Sequence, residues 1–123
     1  MELLVTYEDV KNELGVDLGE ELNLQPREVN LWIKRQERAV LNYIAAHKMR
    51  GIIAVKQMLK NEAAVEIIKQ AIIEHINYLH ENKYVEPDLL AQKDGDQLVP
   101  TIAMQAQWTL ENSGLLYSGT ILL

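Results

Sequence analysis

Two stretches of this chain place large apolar residues three and four positions apart over many turns, and that spacing constrains the fold more than any other feature. Val29, Ile33, Val40, Tyr43 and Ile44 fall on one stripe, with Lys34, Arg35, Arg38 and Asn42 lying away from it. Val65, Ile68, Ile72, Ile76 and Leu79 form a second stripe, widened to one side by Ile67, Ala71 and Tyr78. A period of 3.6 residues is that of an α-helix with one face buried. Pro26 suits the first position of the earlier helix, where its missing N–H costs nothing. That helix is predicted over about residues 27–49, closing near Gly51. Asn61 suits the N-cap of the later one, predicted over about 62–82. An apolar arc as wide as the second one belongs to a helix with two neighbours. The chain is therefore predicted to be all-α, with the two long helices packed antiparallel as a hairpin and the other helices against them.

The shorter elements follow from punctuation. Thr6 with Asp9 makes a capping-box-like start, and Gly15 ends a helix of about two turns. Gly15 to Gln25 reads as a connector holding the acidic pair Glu20-Glu21. Ile52 to Lys60 fits a short helix or an extended run; helix is preferred, because no partner strand is evident. Lys83 to Val99 is a long loop with Pro87 and the turn signal Asp94-Gly95-Asp96, and loops of that length tend to be functional or mobile. Pro100 is predicted to open the last helix, which runs to about Ser113, with Gly114 as the left-handed residue beyond it. That yields four to five helices in a single domain, residues 1–123, with an extended apolar tail at 115–123. The tail carries no side-chain charge, so either its own core or another subunit must cover it.

Composition removes several function classes. At 123 residues the chain can bury one modest core. It has no cysteine, which excludes disulfides and thiolate metal sites. Its apolar runs fall far short of the ~20 residues a membrane-spanning helix needs. No basic segment leads into an apolar one at the start, so no secretory signal is read and cytoplasmic synthesis is expected. The net charge is −6 and the pI about 5.0. The scattered, outnumbered cations argue against sequence-specific DNA binding, although an acidic chain can line a channel through which DNA slides.

Catalytic chemistry finds little footing. His75 and His80 are five apart and do not share a helix face, and His47 and His75 fall on the apolar stripes, where a histidine is usually a hydrogen-bonded core residue. No phosphate-binding glycine pattern or nucleophile elbow is present. No cofactor is implied and no enzymatic role is read. Arg27, Lys34, Arg35 and Arg38 make a small basic face that is either solvated or docks an acidic partner. Ile102, Ala103, Ala106 and Leu110 share the natural core side of the last helix, while Met104 and Trp108 stack on the opposite side. That helix is either buried all round or has a second interface, since Met and aromatic residues are enriched in interface cores.

Three segments carry a resemblance. They are Thr6-Tyr7-Glu8-Asp9-Val10-Lys11-Asn12-Glu13-Leu14-Gly15, then Glu37-Arg38-Ala39-Val40-Leu41-Asn42-Tyr43-Ile44, and the ending Gly114-Leu115-Leu116-Tyr117-Ser118-Gly119. Together they resemble the opening helix, second helix and closing segment of the head-completion proteins of long-tailed bacteriophages, also called head–tail connectors or adaptors. The resemblance implies a structural virion protein without enzymatic activity or cofactor. It implies a homo-oligomeric ring, typically of twelve subunits, between the portal protein and a stopper or tail-completion protein at the head–tail interface. That ring would be assembled in the host cytoplasm, with DNA only as passing cargo and no membrane. It also implies that Leu115, Leu116, Tyr117, Ile121, Leu122 and Leu123 grip the portal or a neighbouring subunit, alongside Met104 and Trp108. This chain is longer than the family's plan in the 15–25 connector and the 83–99 loop. The alternative is a small cytoplasmic helical regulator that binds one protein partner through Met104, Trp108 and the apolar tail.

Overall fold

The computed structural model describes residues 3–84 and 102–116. Every regular element among them is an α-helix: α1 Tyr7–Leu14, α2 Leu18–Leu22, α3 Pro26–Ala46, α4 Ile52–Met58, α5 Glu62–Glu81 and α6 Met104–Asn112. Among the described residues no helix is long and apolar enough to cross a membrane. The predicted long loop lies almost entirely outside the described residues, as do Pro100 and tail residues 117–123.

The helix starts are made by side chains placed where the backbone needs them. The Thr6 hydroxyl accepts from the Asp9 amide at 3.0 Å, and the Asp9 carboxylate accepts from the Thr6 amide at 3.0 Å. This reciprocal box satisfies two donors that the first turn leaves free. The Asn61 side chain accepts from the Ala64 amide at 3.0 Å to open α5. Pro26 occupies the first turn of α3, and the Gln25 amide donates to Glu28 Oε1 at 2.9 Å. Helix α3 ends at Ala46 rather than near 49, because the His47 ring caps it: Nδ1–H donates to the Tyr43 carbonyl at 2.8 Å.

The expected connector contains a helix of its own. Asp17 caps the Glu20 amide at 3.2 Å, Glu20 and Glu21 sit in the first turn where the helix dipole favours acids, and Asn23 stops α2 at φ +56°. Leu18 anchors it in the core. The Tyr7 hydroxyl donates to Asp17 and accepts the Gly19 amide at 3.0 Å, so the ring lies directly over Gly19. A Cβ at Gly19 would collide with that hydroxyl.

The core runs through all six helices. Val29, Ile33, Val40, Tyr43 and Ile44 of α3 are buried as their spacing requires, as are Ile68, Ala71, Ile72, Ile76 and Leu79 of α5. Val65 and Tyr78 are only partly covered. The wide arc of α5 is used on three sides, since α5 packs against α6, α3 and α1. Its densest packing is with α6 rather than with α3, so the centre of the molecule is the α5–α6 pair, with α3 alongside.

One charged group belongs to this core. Glu37 is 1% exposed, and its Oε2 accepts the amides of Leu4 and Val5 at 2.6 and 2.9 Å. Lys34 Nζ stands 3.6 Å from Oε1, close enough for Coulombic attraction but beyond a good hydrogen bond. The carboxylate thus ties the segment before α1 to the middle of α3 and seats Val5 in the core. Removing it leaves two covered amides without an acceptor, each costing about 1–3 kcal/mol. Glu37→Ala is expected to destabilise the fold by roughly 2–4 kcal/mol. Urea unfolding checks this; an unchanged midpoint would show that the anchor contributes nothing.

Candidate interaction surface

Helix α6 is held from both sides. Its core face is Ala106 and Leu110, preceded by Ile102 and Ala103 and followed by Leu115 and Leu116, all buried. On the α5 side the Ala103 amide donates to His75 Nδ1 at 3.0 Å, and Thr109 Oγ1 donates to Glu74. On the α3 side the Tyr43 hydroxyl donates to Gln107 Oε1 at 3.1 Å, while Gln107 Nε2 donates back to the Ile102 carbonyl at 2.8 Å. The helix begins at Met104, so Ile102 and Ala103 precede it rather than belonging to its first turn. The reason is the His75 bond: Ala103 is extended, at φ −54° and ψ 142°, with its N–H committed to the ring.

The stop beyond α6 is a modified Schellman turn. Ser113 caps the helix, Gly114 adopts φ +83°, where a Cβ would be strained, and the Gly114 amide donates to the Glu111 carbonyl at 3.1 Å. The Ser113 hydroxyl then donates to the Leu110 carbonyl at 2.7 Å and accepts the Leu115 amide at 3.2 Å. That reversal returns the chain to the core, where Leu115 and Leu116 are buried.

The sequence-read interface residues therefore divide. Met104 and Trp108 face solvent at 64% and 57% exposure, so α6 is not buried all round. Leu115 and Leu116 serve the chain's own core and are not free to grip a partner. Tyr117, Ile121, Leu122 and Leu123 lie outside the described residues. Of the basic face, Arg27, Arg35 and Arg38 are exposed, whereas Lys34 leans toward Glu37. Sequence reasoning missed a second exposed apolar group, Met49, Ile52 and Ile53, where α3 turns into α4. Its signal was present in the ambiguity of Ile52-Ile53, whose paired isoleucines cannot both face the core of a seven-residue helix.

All three histidines make hydrogen-bond contacts within the fold. His75 is 2% exposed; burial pushes its pKa down to about 4, and its Nδ1 must stay unprotonated to accept the Ala103 amide. His80 Nδ1 stands 3.2 Å from Glu21 Oε1 and 3.2 Å from the Tyr84 hydroxyl, which donates to the same Glu21 oxygen at 3.1 Å. Burial, then the Glu21 bond, pushes Tyr84 up to about 12, so it is a fixed donor that ties the end of α5 to α2. Trp32 meets the Tyr84 ring edge-on at 5.9 Å. Among the described residues no three His, Asp or Glu side chains converge on a metal-sized site. Among the described residues one open groove, about 500 Å³, lies between α1 and α5. No family model, curated protein or solved structure matches this chain.

Two outcomes follow from how α6 is held. Trp108→Ala should change unfolding free energy by less than about 1 kcal/mol, whereas Leu110→Ala should cost ~2–5 kcal/mol. Chemical denaturation of the two variants side by side checks the orientation of the helix; a Trp108 variant as damaged as the Leu110 variant would reverse it.

The His75 bond also sets a pH dependence. The folded pKa near 4 lies below the unfolded ~6.5, so the unfolded chain binds the extra proton between them. Stability from this group is fully present above about pH 6.5 and falls as the pH drops toward 4, by roughly 3 kcal/mol at most. His75→Asn, which offers an oxygen near the Nδ1 position, should flatten that part of the stability–pH curve. An unchanged slope between pH 6.5 and 4 would show that the ring does not titrate with unfolding.

Proposed function

We propose that the chain is a structural virion protein that forms a ring between the portal and the tail or stopper, extends the DNA channel and completes the head. The observation that carries this reading is the Met104–Trp108 face. A tryptophan and a methionine stand in water on a helix whose other sides are fixed by core packing and hydrogen bonds to α5 and α3. A rigid helix that keeps a Trp in water is built for contact, because such residues become hot spots once covered. In a ring each copy presents one patch to a different patch on the next, so a fixed face is required. The resemblance in the opening helix, in α3 and in the segment after Gly114 supplies the kind of assembly, a ring typically of twelve copies bound to a portal. Net charge −6 suits a channel wall that DNA passes without sticking. Residues 117–123, apolar but for Ser118, Gly119 and Thr120, are assigned to gripping the portal or a neighbour. Leu115 and Leu116 anchor that segment to the core.

Electron microscopy of the purified chain, alone and mixed with portal-bearing capsids, tests this reading. Rings, or density added beneath the portal, are expected. Deleting residues 117–123 should leave the helical content unchanged and abolish that density. A chain that never joins particles and instead forms a one-to-one complex with a cytoplasmic protein would replace the connector with the regulator reading.

A further inference from the structure

A stretch of the chain that holds cations and no acids contains one of its exposed apolar groups. Residues 38–61 contain Arg38, Lys48, Arg50, Lys56 and Lys60 and no Asp or Glu, in a chain whose net charge is −6. Within that stretch, at the corner between α3 and α4, Met49 is 95% exposed and Ile52 and Ile53 about half exposed. The corner is held firm, because the His47 ring caps α3 through the Tyr43 carbonyl and Val55 anchors α4 in the core. A fixed apolar tip flanked along the chain by exposed Arg50 and Lys56 suits a partner with some apolar surface and an acidic rim.

The chain carries such a partner surface elsewhere. The open groove of about 500 Å³ between α1 and α5 has half-buried Ile73 as its accessible apolar part, with Val5 sealed beneath it, and Asp9, Glu13 and Glu66 on its rim, where Lys69 stands 3.8 Å from Glu66 and Gln70 lies beside them. The tip cannot reach the groove of its own chain. Val5 is pinned to Glu37, nine residues and so about 14 Å of helix before Ala46 at the end of α3. Helix α4 packs on α3 and has no comparable contact with α1 or α5. We infer that the Met49–Ile53 corner of one copy seats in the α1–α5 groove of a second copy. Two different patches meet in this contact, so it is heterologous, and repetition closes a ring or extends a filament. The inference rests on the proposed ring and adds a further pair of joining faces to it, beside the Met104–Trp108 face.

Charge reversal on the full-length chain tests the pairing. One variant is Arg50→Glu with Lys56→Glu; the other is Glu13→Lys with Glu66→Lys. All four side chains are exposed, and Asp9 is left alone because it caps α1. Sedimentation at low salt should show that the wild type self-associates and that each variant alone does so at least about tenfold more weakly. An equimolar mixture should recover assembly, since the acidic corner of one variant then meets the basic groove of the other, and the unaltered faces also match. Raising the salt should weaken the wild-type contact. If rings form but neither variant disturbs them, the pairing is wrong and the ring stands. If the wild type stays monomeric at every concentration and is also absent from portal particles, both fail. A mixture that stays monomeric while the wild type assembles overturns the pairing alone.

Discussion

The hydrogen bond from the Ala103 amide to the buried His75 ring decides where the last helix begins and which side of it faces water. It joins two residues 28 positions apart, and it works only while the imidazole is neutral. With Ala103 extended and held, α6 starts at Met104, and Ala106 and Leu110 reach the core. Tyr43 and Thr109 then fix the helix about its own axis from either side. Met104 and Trp108 are left in solvent as a geometric consequence. A helix with so even a spread of apolar residues would otherwise have little reason to prefer one rotation.

Glu37 does for the start of the chain what His75 does for the end. Both are buried polar groups whose partners are backbone amides remote in sequence, and both convert a loose segment into a seated one. Burying such groups costs desolvation, so their net contribution to stability is smaller than their bond count suggests. Their larger effect is on which arrangement forms, because a misplaced segment would leave the carboxylate or the imidazole unpaired. Tyr7 over Gly19 and Tyr84 on Glu21 tether α2 in the same manner nearer the surface.

Elements whose determinants are local were legible in the sequence. The Thr6–Asp9 box, Pro26, Asn61 and Gly114 each sit within four residues of what they satisfy, and the stripes of α3 and α5 repeat over about four turns. Helix α2 was not legible as a helix, because five residues with one buried leucine give no period to read. The start of α6 and the burial of Glu37 were hidden for a different reason, since their partners lie 28 and about 32 residues away. The exposure of Met104 and Trp108 was legible as one of two possibilities, and only the three-dimensional pinning of α6 separates them. Leu115 and Leu116 looked like the start of a gripping tail. Their place in the core follows a turn in which the Ser113 hydroxyl bridges Leu110 and Leu115, a detail that the residue pattern does not reveal.

These constraints describe a small helical body whose buried polar groups fix its outer faces, a property that the proposed ring would use. Fluorescence of Trp108 in a Trp32→Phe background, where it is the sole tryptophan, tests that description most directly. In the free chain the emission should be red-shifted and readily quenched by acrylamide; on joining portal-bearing particles it should shift to the blue and lose most of its accessibility. A Trp108 already shielded in the free chain, or equally quenchable after assembly, would contradict the account.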